Sequence, residues 1–261
     1  MEKLDLQNEL KGVCDEWLEL FDLSNWEKGD IYFSSPSKGN VFNAFKLFRP
    51  NETKIIIIGQ DPYPDEKYPD KADGLSFSQN GKNPAVDSLK NIYSAINLYN
   101  KKNDINNWNT DLTTWATNNK VLLLNTALTY NLNENHYCFW KSFVEKIVFN
   151  LIENMNKKEN SKLVVFLWGV PSQQIFFNCI SKKFKTLFLD ALNSEEQKKF
   201  KMGKLIKNKI ICIENKKIFL TSHPCNMSAW RGFKKHAPEH FKLCDIFLEN
   251  NIWKDFPKNN Q

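Results

Sequence analysis

Asp61, Asn125 and His223 each stand at or just beyond the end of a short apolar run. Asp61 follows Ile55-Ile56-Ile57-Ile58-Gly59-Gln60, Asn125 follows Val121-Leu122-Leu123-Leu124, and His223 follows Ile218-Phe219-Leu220-Thr221-Ser222. Together the three could do complementary chemistry. A carboxylate can orient a water molecule or stabilise a neighbouring cation. An asparagine offers an acceptor and two donors to a base edge or an amide. A histidine can donate a hydrogen bond to a developing anion while neutral, or act as an acid. Taken singly, each also has a bland reading. Asp61 before Pro62 suits a turn, Asn125 suits a buried loop, and His223 suits a packed ring ahead of Pro224. Tyr63 and Phe77 lie close to Asp61 in sequence and could stack on a flat ligand, or simply belong to the core.

The apolar runs are too short and too β-branched for helices, so they read as buried strands. A fourth run, Leu163-Val164-Val165-Phe166-Leu167, ends on Trp168-Gly169. Helical spacing lies between them. It appears in Leu89, Ile92, Tyr93, Ile96 and Tyr99 behind a cap at Asp87, and in Trp140, Phe143, Val144, Ile147, Leu151 and Met155. Phe241, Cys244 and Phe247 or Leu248 predict a C-terminal helix, and Leu6, Leu10, Val13, Trp17 and Leu20 a first one. Continuous apolar strands alternating with helices predict an α/β fold. The expectation is a single domain over residues 1–261, with a central, mostly parallel four-stranded sheet flanked by helices. The Lys-rich stretch 178–208 reads as an insertion, open to a hairpin, a helix pair or a loose loop. In open parallel sheets, sites form at the carboxyl ends of the strands. That edge would gather Asp61, Asn125 and His223.

The chain has 261 residues and a net charge of +6, which permits a polyanionic partner without requiring one. Only two of its 36 basic residues are arginines, Arg49 and Arg231, which suits bidentate phosphate contact at either or simply the drift of an AT-rich, Lys- and Asn-rich genome. Its six cysteines form no C-x-x-C pair and no zinc-finger spacing, so free thiols in a reducing cytoplasm are expected, with no metal and no cofactor. The amino terminus has no apolar segment of the secretory kind, and no apolar run reaches the length of a membrane span.

Four segments, in order, carry a resemblance to family-1 uracil-DNA glycosylases. Gly59-Gln60-Asp61-Pro62-Tyr63 resembles the family's water-activating loop, and Gly74-Leu75-Ser76-Phe77-Ser78 its uracil-stacking segment. Leu122-Leu123-Leu124-Asn125-Thr126 resembles the uracil-recognition strand. The stretch from His223 to Phe233, which reads HPCNMSAWRGF, resembles the DNA-intercalation loop. The resemblance implies a monomer that flips uracil from single- or double-stranded DNA and hydrolyses its N-glycosidic bond. Asp61 would place the water and His223 would donate to the uracil O2. Asn125 would pair with the base edge, Phe77 would stack on it, Tyr63 would exclude thymine's methyl, and Gln60 would add backbone contacts. Met227 would fill the vacated stack, while Ser88, Ser228 and Arg231 would hold the DNA backbone.

The chain departs from that pattern in four places. Pro64 and Asp65 replace the family's histidine and glycine, Cys225 and Asn226 replace a Ser-Pro pair, and Asp87 sits where a phosphate would pass. The chain between Trp168 and His223 is longer than in the family. Two alternatives stay open: a glycosylase for a modified pyrimidine, and a silent DNA-binding subunit. A nucleotide-binding domain lacks support, because no Gly-rich phosphate loop follows a strand.

Overall fold

The computed structural model describes residues 1–21, 23, 30–64, 66–68, 70–81, 84–101, 108–156 and 161–254, the side chains of 156, 230 and 231 excepted. In chain order its elements are β1 (Glu2–Lys3), α1 (Leu6–Glu9), α2 (Asp15–Leu18), β2 (Tyr32–Phe33), β3 (Ile55–Gly59), α3 (Asp87–Asn100), α4 (Thr113–Asn119) and β4 (Val121–Asn125). Then come α5 (His136–Asn156), β5 (Leu163–Trp168), α6 (Val170–Cys179), α7 (Lys182–Asp190), α8 (Ser194–Lys201), β6 (Asn208–Ile213), β7 (Lys216–Thr221), α9 (Asn226–Ser228) and α10 (Lys234–Leu248). A π-helical turn, Ala229–Phe233, joins α9 to α10.

Among the described residues the central sheet has five strands, in the order β4-β3-β5-β7-β6. The first four are parallel, as the apolar runs predict. The fifth, β6, corrects the four-stranded expectation: it is antiparallel to β7 and closes one edge. Every residue of β3, β4 and β5 is buried, which explains why their sequences are continuously apolar rather than alternating. Aromatic rings carry the packing outward. Phe166 of β5 stacks on Phe219 of β7 at 5.2 Å between centroids and meets Phe241 of α10 at 5.6 Å.

Two helix expectations change. The periodic run from Leu6 to Leu20 is broken into α1 and α2, because Gly12 adopts φ +87°, outside the right-handed helical region. Asp87 is not the cap of α3. Val86 occupies that position and Asp87 is the first helical residue. The 178–208 stretch folds into α7 and α8 and then leads into β6. Its apolar face continues the core, with Phe188 and Phe200 packed on each other and on Phe177 of α6.

The register sets four residues level at the carboxyl edge: Gly59 opposite Asn125, and Trp168 opposite Thr221, with Ile58 paired to Leu167 between them. The segment that crosses this edge is tied to the rest of the protein at Gly74. There φ is +85°, and a Cβ would lie 1.8 Å from the Asn40 carbonyl oxygen and 2.9 Å from Asn43 Cβ. Gly74→Ala should therefore destabilise the fold by about 2 kcal/mol or more, from left-handed strain plus the clash. A thermal melt should show a midpoint about 5 °C lower or worse; an unchanged midpoint would contradict the close approach.

Candidate active site

Gly59 and Asn125 end adjacent strands, and the space above Gly59 is taken by Asn125. A Cβ on Gly59 would lie 2.4 Å from Asn125 Oδ1 and 2.7 Å from Ser76 Cβ. Asn125 is 4% exposed, and among the described residues its side-chain amide has no hydrogen-bond partner in the protein. Its amide atoms are not among the fully enclosed unpartnered ones, so water or a ligand can reach and pair with them. Beyond Asn125 the chain turns back. Thr126 N–H donates to the Gly59 carbonyl at 3.1 Å. Thr126 Oγ1 donates to the Gln60 carbonyl at 2.7 Å, and Ala127 N–H reaches the same oxygen at 2.9 Å. The two strand ends are thus stapled together, with Gln60 and Asp61 projecting beyond them.

Phe77 lies over this edge at φ +63°, a conformation that costs a non-glycine residue roughly 1–2 kcal/mol. Its neighbours hold it there. Ser76 N–H donates to the Leu123 carbonyl at 3.1 Å and Ser76 Oγ to the Ile57 carbonyl at 3.3 Å. Ser78 Oγ donates to the Asp73 carboxylate, which also takes the Leu75 N–H at 3.0 Å. Burial pushes Asp73 up to about 6. Tyr63 completes the frame. Its hydroxyl donates to the Phe77 carbonyl at 3.2 Å, and its own carbonyl accepts from Ser35 Oγ at 2.7 Å. Burial raises the Tyr63 phenol above its ordinary value, so it stays a neutral donor.

The Phe77 ring lies 5.4 Å from Trp168 and 5.7 Å from His223, centroid to centroid. Aromatic packing therefore links the loop after β3 to the ends of β5 and β7. Gly169, at φ +95°, makes room for His223: a Cβ there would meet His223 Cβ at 3.1 Å. Burial lowers His223 to about 4, so the ring is neutral near pH 7. Its Nδ1 accepts the Cys225 N–H at 3.1 Å. A neutral ring accepting at Nδ1 carries its proton on Nε2, which leaves Nε2–H as the free donor.

Asp61 is exposed at the mouth of this edge, and partial desolvation raises its carboxyl above the usual range while a backbone hydrogen bond lowers it. Asp61 and Gln60 also line a neighbouring cavity of about 450 Å³, walled by Thr126, Tyr130, His136, Val170 and Gln174 among others. Phe77, Asn125 and His223 are not on that wall, so the cavity adjoins the constellation rather than coinciding with it.

The loop after His223 is tied to α3. Asn91 Nδ2 donates to the Pro224 carbonyl at 2.7 Å and to Asn226 Oδ1 at 3.0 Å. Asn226 Nδ2 donates to Asp87 Oδ2 at 2.5 Å. The acid at Asp87 is thus a structural acceptor for the loop, with Lys90 Nζ 3.7 Å from its other oxygen. Sequence reasoning missed this network, because nothing in the spacing of two asparagines so far apart announces it. Met227 stands at the apex, 82% exposed, with Ser228 beside it and half-buried. Ser228 accepts a hydrogen bond from Ser222 Oγ at 3.2 Å through its carbonyl. Ser88 is buried in the first turn of α3. The side chain of Arg231 lies outside the described residues.

Asp61, Tyr63, Phe77, Asn125 and His223 therefore meet at one sheet edge, with the Met227 loop beside them. A family model described as the uracil DNA glycosylase superfamily matches residues 45–247, a span that contains all of these. A uracil-DNA glycosylase of Ureaplasma parvum is 31% identical over 231 residues, covering 88% of this chain and 87% of that protein. One from Aliarcobacter butzleri is 32% identical over 229 residues, covering 84% and 85%. Among solved structures, mimivirus uracil-DNA glycosylase aligns with a TM-score of 0.59 at 22% identity, over 82% of this chain and 70% of that one. The Nitratifractor salsuginis UNG structure aligns at 0.54 and 22%, over 92% and 96%. The structural likenesses carry the fold, while the family match and the sequence relatives carry the lineage: this chain belongs to the uracil-DNA glycosylase superfamily.

Proposed function

We propose that this chain is a DNA-repair glycosylase that extrudes uracil from DNA and hydrolyses its N-glycosidic bond, leaving an abasic site. The observation that carries the reading is the state of His223, neutral, with Nδ1 occupied by the Cys225 N–H and Nε2–H left to donate. Breaking the glycosidic bond builds negative charge on the base and positive charge on the sugar. A neutral donor on the base side and a carboxylate on the sugar side match that separation better in the transition state than in the ground state. His223 donates to the base oxygen, and Asp61 places the attacking water and stabilises the sugar cation. Asn125 gives its unpartnered amide to the base edge, Phe77 supplies the stacking face, and Tyr63 closes the side where thymine carries its methyl. The Gln60 carbonyl, already occupied by Thr126 and Ala127, acts by holding the loop.

Reaching a base in a duplex requires extrusion, which costs a few kcal/mol. An exposed Met227 on a braced loop can enter the vacated stack and offset part of that cost. Ser228 and the first turn of α3 around Ser88 hold flanking phosphates, and Arg231 is assigned to the same backbone. The enzyme works as a monomer on single- or double-stranded DNA. Six free cysteines suit a reducing compartment, and no helix among the described residues is long and apolar enough to cross a membrane.

Asp61→Asn should abolish most turnover while leaving DNA affinity nearly intact, since phosphate contacts dominate binding. His223→Ala should lower turnover ~100-fold or more, as loss of one anion-stabilising donor does. Abasic-site formation on a uracil oligonucleotide measures both; a variant within a few-fold of wild type loses its assigned role.

The pH profile separates a neutral donor from an acid. Asp61 must be ionised and His223 neutral, so both act above their pKa values. The rate should rise with pH through the raised Asp61 value and the His223 value of about 4, then stay level. An imidazolium acid would instead lose activity as pH rises through the ordinary imidazole value of about 6.5. A decline in kcat/KM there would overturn the assignment.

Met227→Ala should slow excision from duplex DNA more than from a single strand, which has no partner strand to unpair. Equal losses on matched oligonucleotides, or a lowered melting temperature, would point to a packing role instead.

A further inference from the structure

The stretch 178–208 carries eight lysines against three acidic residues, a local excess of +5 in a chain whose net charge is +6. These lysines fall on α7 (Lys182, Lys183, Lys185), on α8 (Lys198, Lys199, Lys201) and on the segment between α8 and β6 (Lys204, Lys207), with Lys209 just beyond. Lys183 sits 3.2 Å from Glu214, in the turn between β6 and β7, at the end of the sheet away from His223. Lys182 and Lys185 share α7 with it. Lys199 and Lys209 are paired with Glu195 and Glu196. Lys201, Lys204 and Lys207 are exposed, and among the described residues none has an acidic partner; Lys182 and Lys198 share that, but only these three lie between the last residue of α8 and the start of β6.

Their place in the fold follows from β6. Because β6 runs antiparallel to β7, its first residue, Asn208, lies opposite Thr221, two residues before His223. The segment leading into it therefore borders the catalytic edge. Gln173 of α6 clamps it there. Gln173 Oε1 accepts the Ile206 N–H at 3.0 Å, and Nε2 donates to the carbonyls of Ile206 at 2.9 Å and Thr221 at 3.3 Å. Gly203, at φ +68°, turns the chain out of α8 into this segment. The result is a braced strip with three unpaired cations, held one strand beyond the Met227 loop.

We propose that residues 201–207 form an additional contact surface for the DNA backbone, with Lys201, Lys204 and Lys207 neutralising phosphates flanking the extruded base. The inference rests on the DNA reading above and deepens it. Unpaired ammonium groups at a desolvated helix end would be unusual, but on an exposed strip they are free to trade counterions for phosphates. Binding then gains salt dependence in proportion to the phosphates engaged.

The test compares the unaltered chain with two triple variants, each losing three positive charges. One is Lys201→Gln, Lys204→Gln and Lys207→Gln; the other is Lys182→Gln, Lys183→Gln and Lys185→Gln on α7. Binding of a short fluorescent duplex without uracil is followed by anisotropy at several salt concentrations, with melting temperatures recorded. The first variant should bind more weakly, with a log K against log salt slope shallower by about 2 to 3, while the α7 variant keeps the wild-type slope. An unchanged slope in the first variant, or an equal change in both, overturns the strip as a contact surface. Wild-type excision of uracil is measured alongside. If the wild type excises uracil and the strip variant binds normally, only this inference fails; if the wild type neither binds DNA nor excises uracil, the functional reading fails and takes this one with it.

Discussion

Gly59 has no room for a side chain because two segments, the end of β4 and the Ser76–Phe77 loop, meet above it. The Asn125 amide, the Ser76 methylene and the Phe77 ring all lie within 3.5 Å of where its Cβ would stand. Any side chain there would push Asn125 off the strand end and lift the Phe77 loop. The site is thus a consequence of strand register. Pairing Gly59 with Asn125 brings the smallest residue opposite the one whose amide must reach forward. A one-residue slip of β3 would exchange isoleucine for isoleucine on both buried faces, so apolar pattern alone does not fix the register; Gly59 does, as the position where Asn125 and Ser76 leave no room for a side chain. A single glycine thus sets which residues face each other at the edge, and the Thr126 and Ala127 hydrogen bonds staple the strand ends there.

The same economy appears in the electrostatics. Among the described residues no charged side chain contributes to the shift at His223 or at Asp61; burial is the leading cause at both. Burial shifts their pKa values in opposite directions because it disfavours both charged forms. It disfavours the imidazolium and so keeps His223 an uncharged donor, and it disfavours the carboxylate, so Asp61 carries its charge at an energetic cost. In the reaction proposed above, a sugar cation forming nearby would relieve that cost, and a base anion would strengthen the hydrogen bond from Nε2. Both groups would then be better satisfied as the bond breaks, which is the condition for catalysis rather than tight substrate binding.

Four parallel strands and the gathering of Asp61, Asn125 and His223 were legible in the sequence because buried parallel strands are written as unbroken apolar runs. The fifth strand was not. Asn208–Ile213 is an edge strand of mixed exposure, and Asn, Lys and Cys interrupt its apolar residues. The first helix misled for the converse reason: its 3/4 spacing reflects burial of Leu10, Val13 and Trp17 in one core, which two short helices achieve as well as one long one. Phe77's left-handed backbone and the Asn91–Asn226–Asp87 network left no trace in local pattern. Each depends on partners distant in sequence, and single-chain periodicity does not register such contacts.

That network gives a physical reason for the residues that depart from the family's pattern. Asp87 near a phosphate path would repel DNA if its charge were free. Here Oδ2 takes the Asn226 amide, and Lys90 sits near Oδ1. Asn226, standing where the resemblance has a proline, restrains the loop by hydrogen bonds rather than by a fixed φ. Asn91 adds the Pro224 carbonyl to the same anchor. Restraint matters here because Met227 is held 82% exposed, an arrangement a free loop would relieve by folding the side chain inward. Bonds from α3 to Pro224 and Asn226 restrain the loop that presents this side chain to solvent. In the DNA reading proposed above, the ordering entropy of the loop would be spent in folding, and less of it would oppose insertion into the stack.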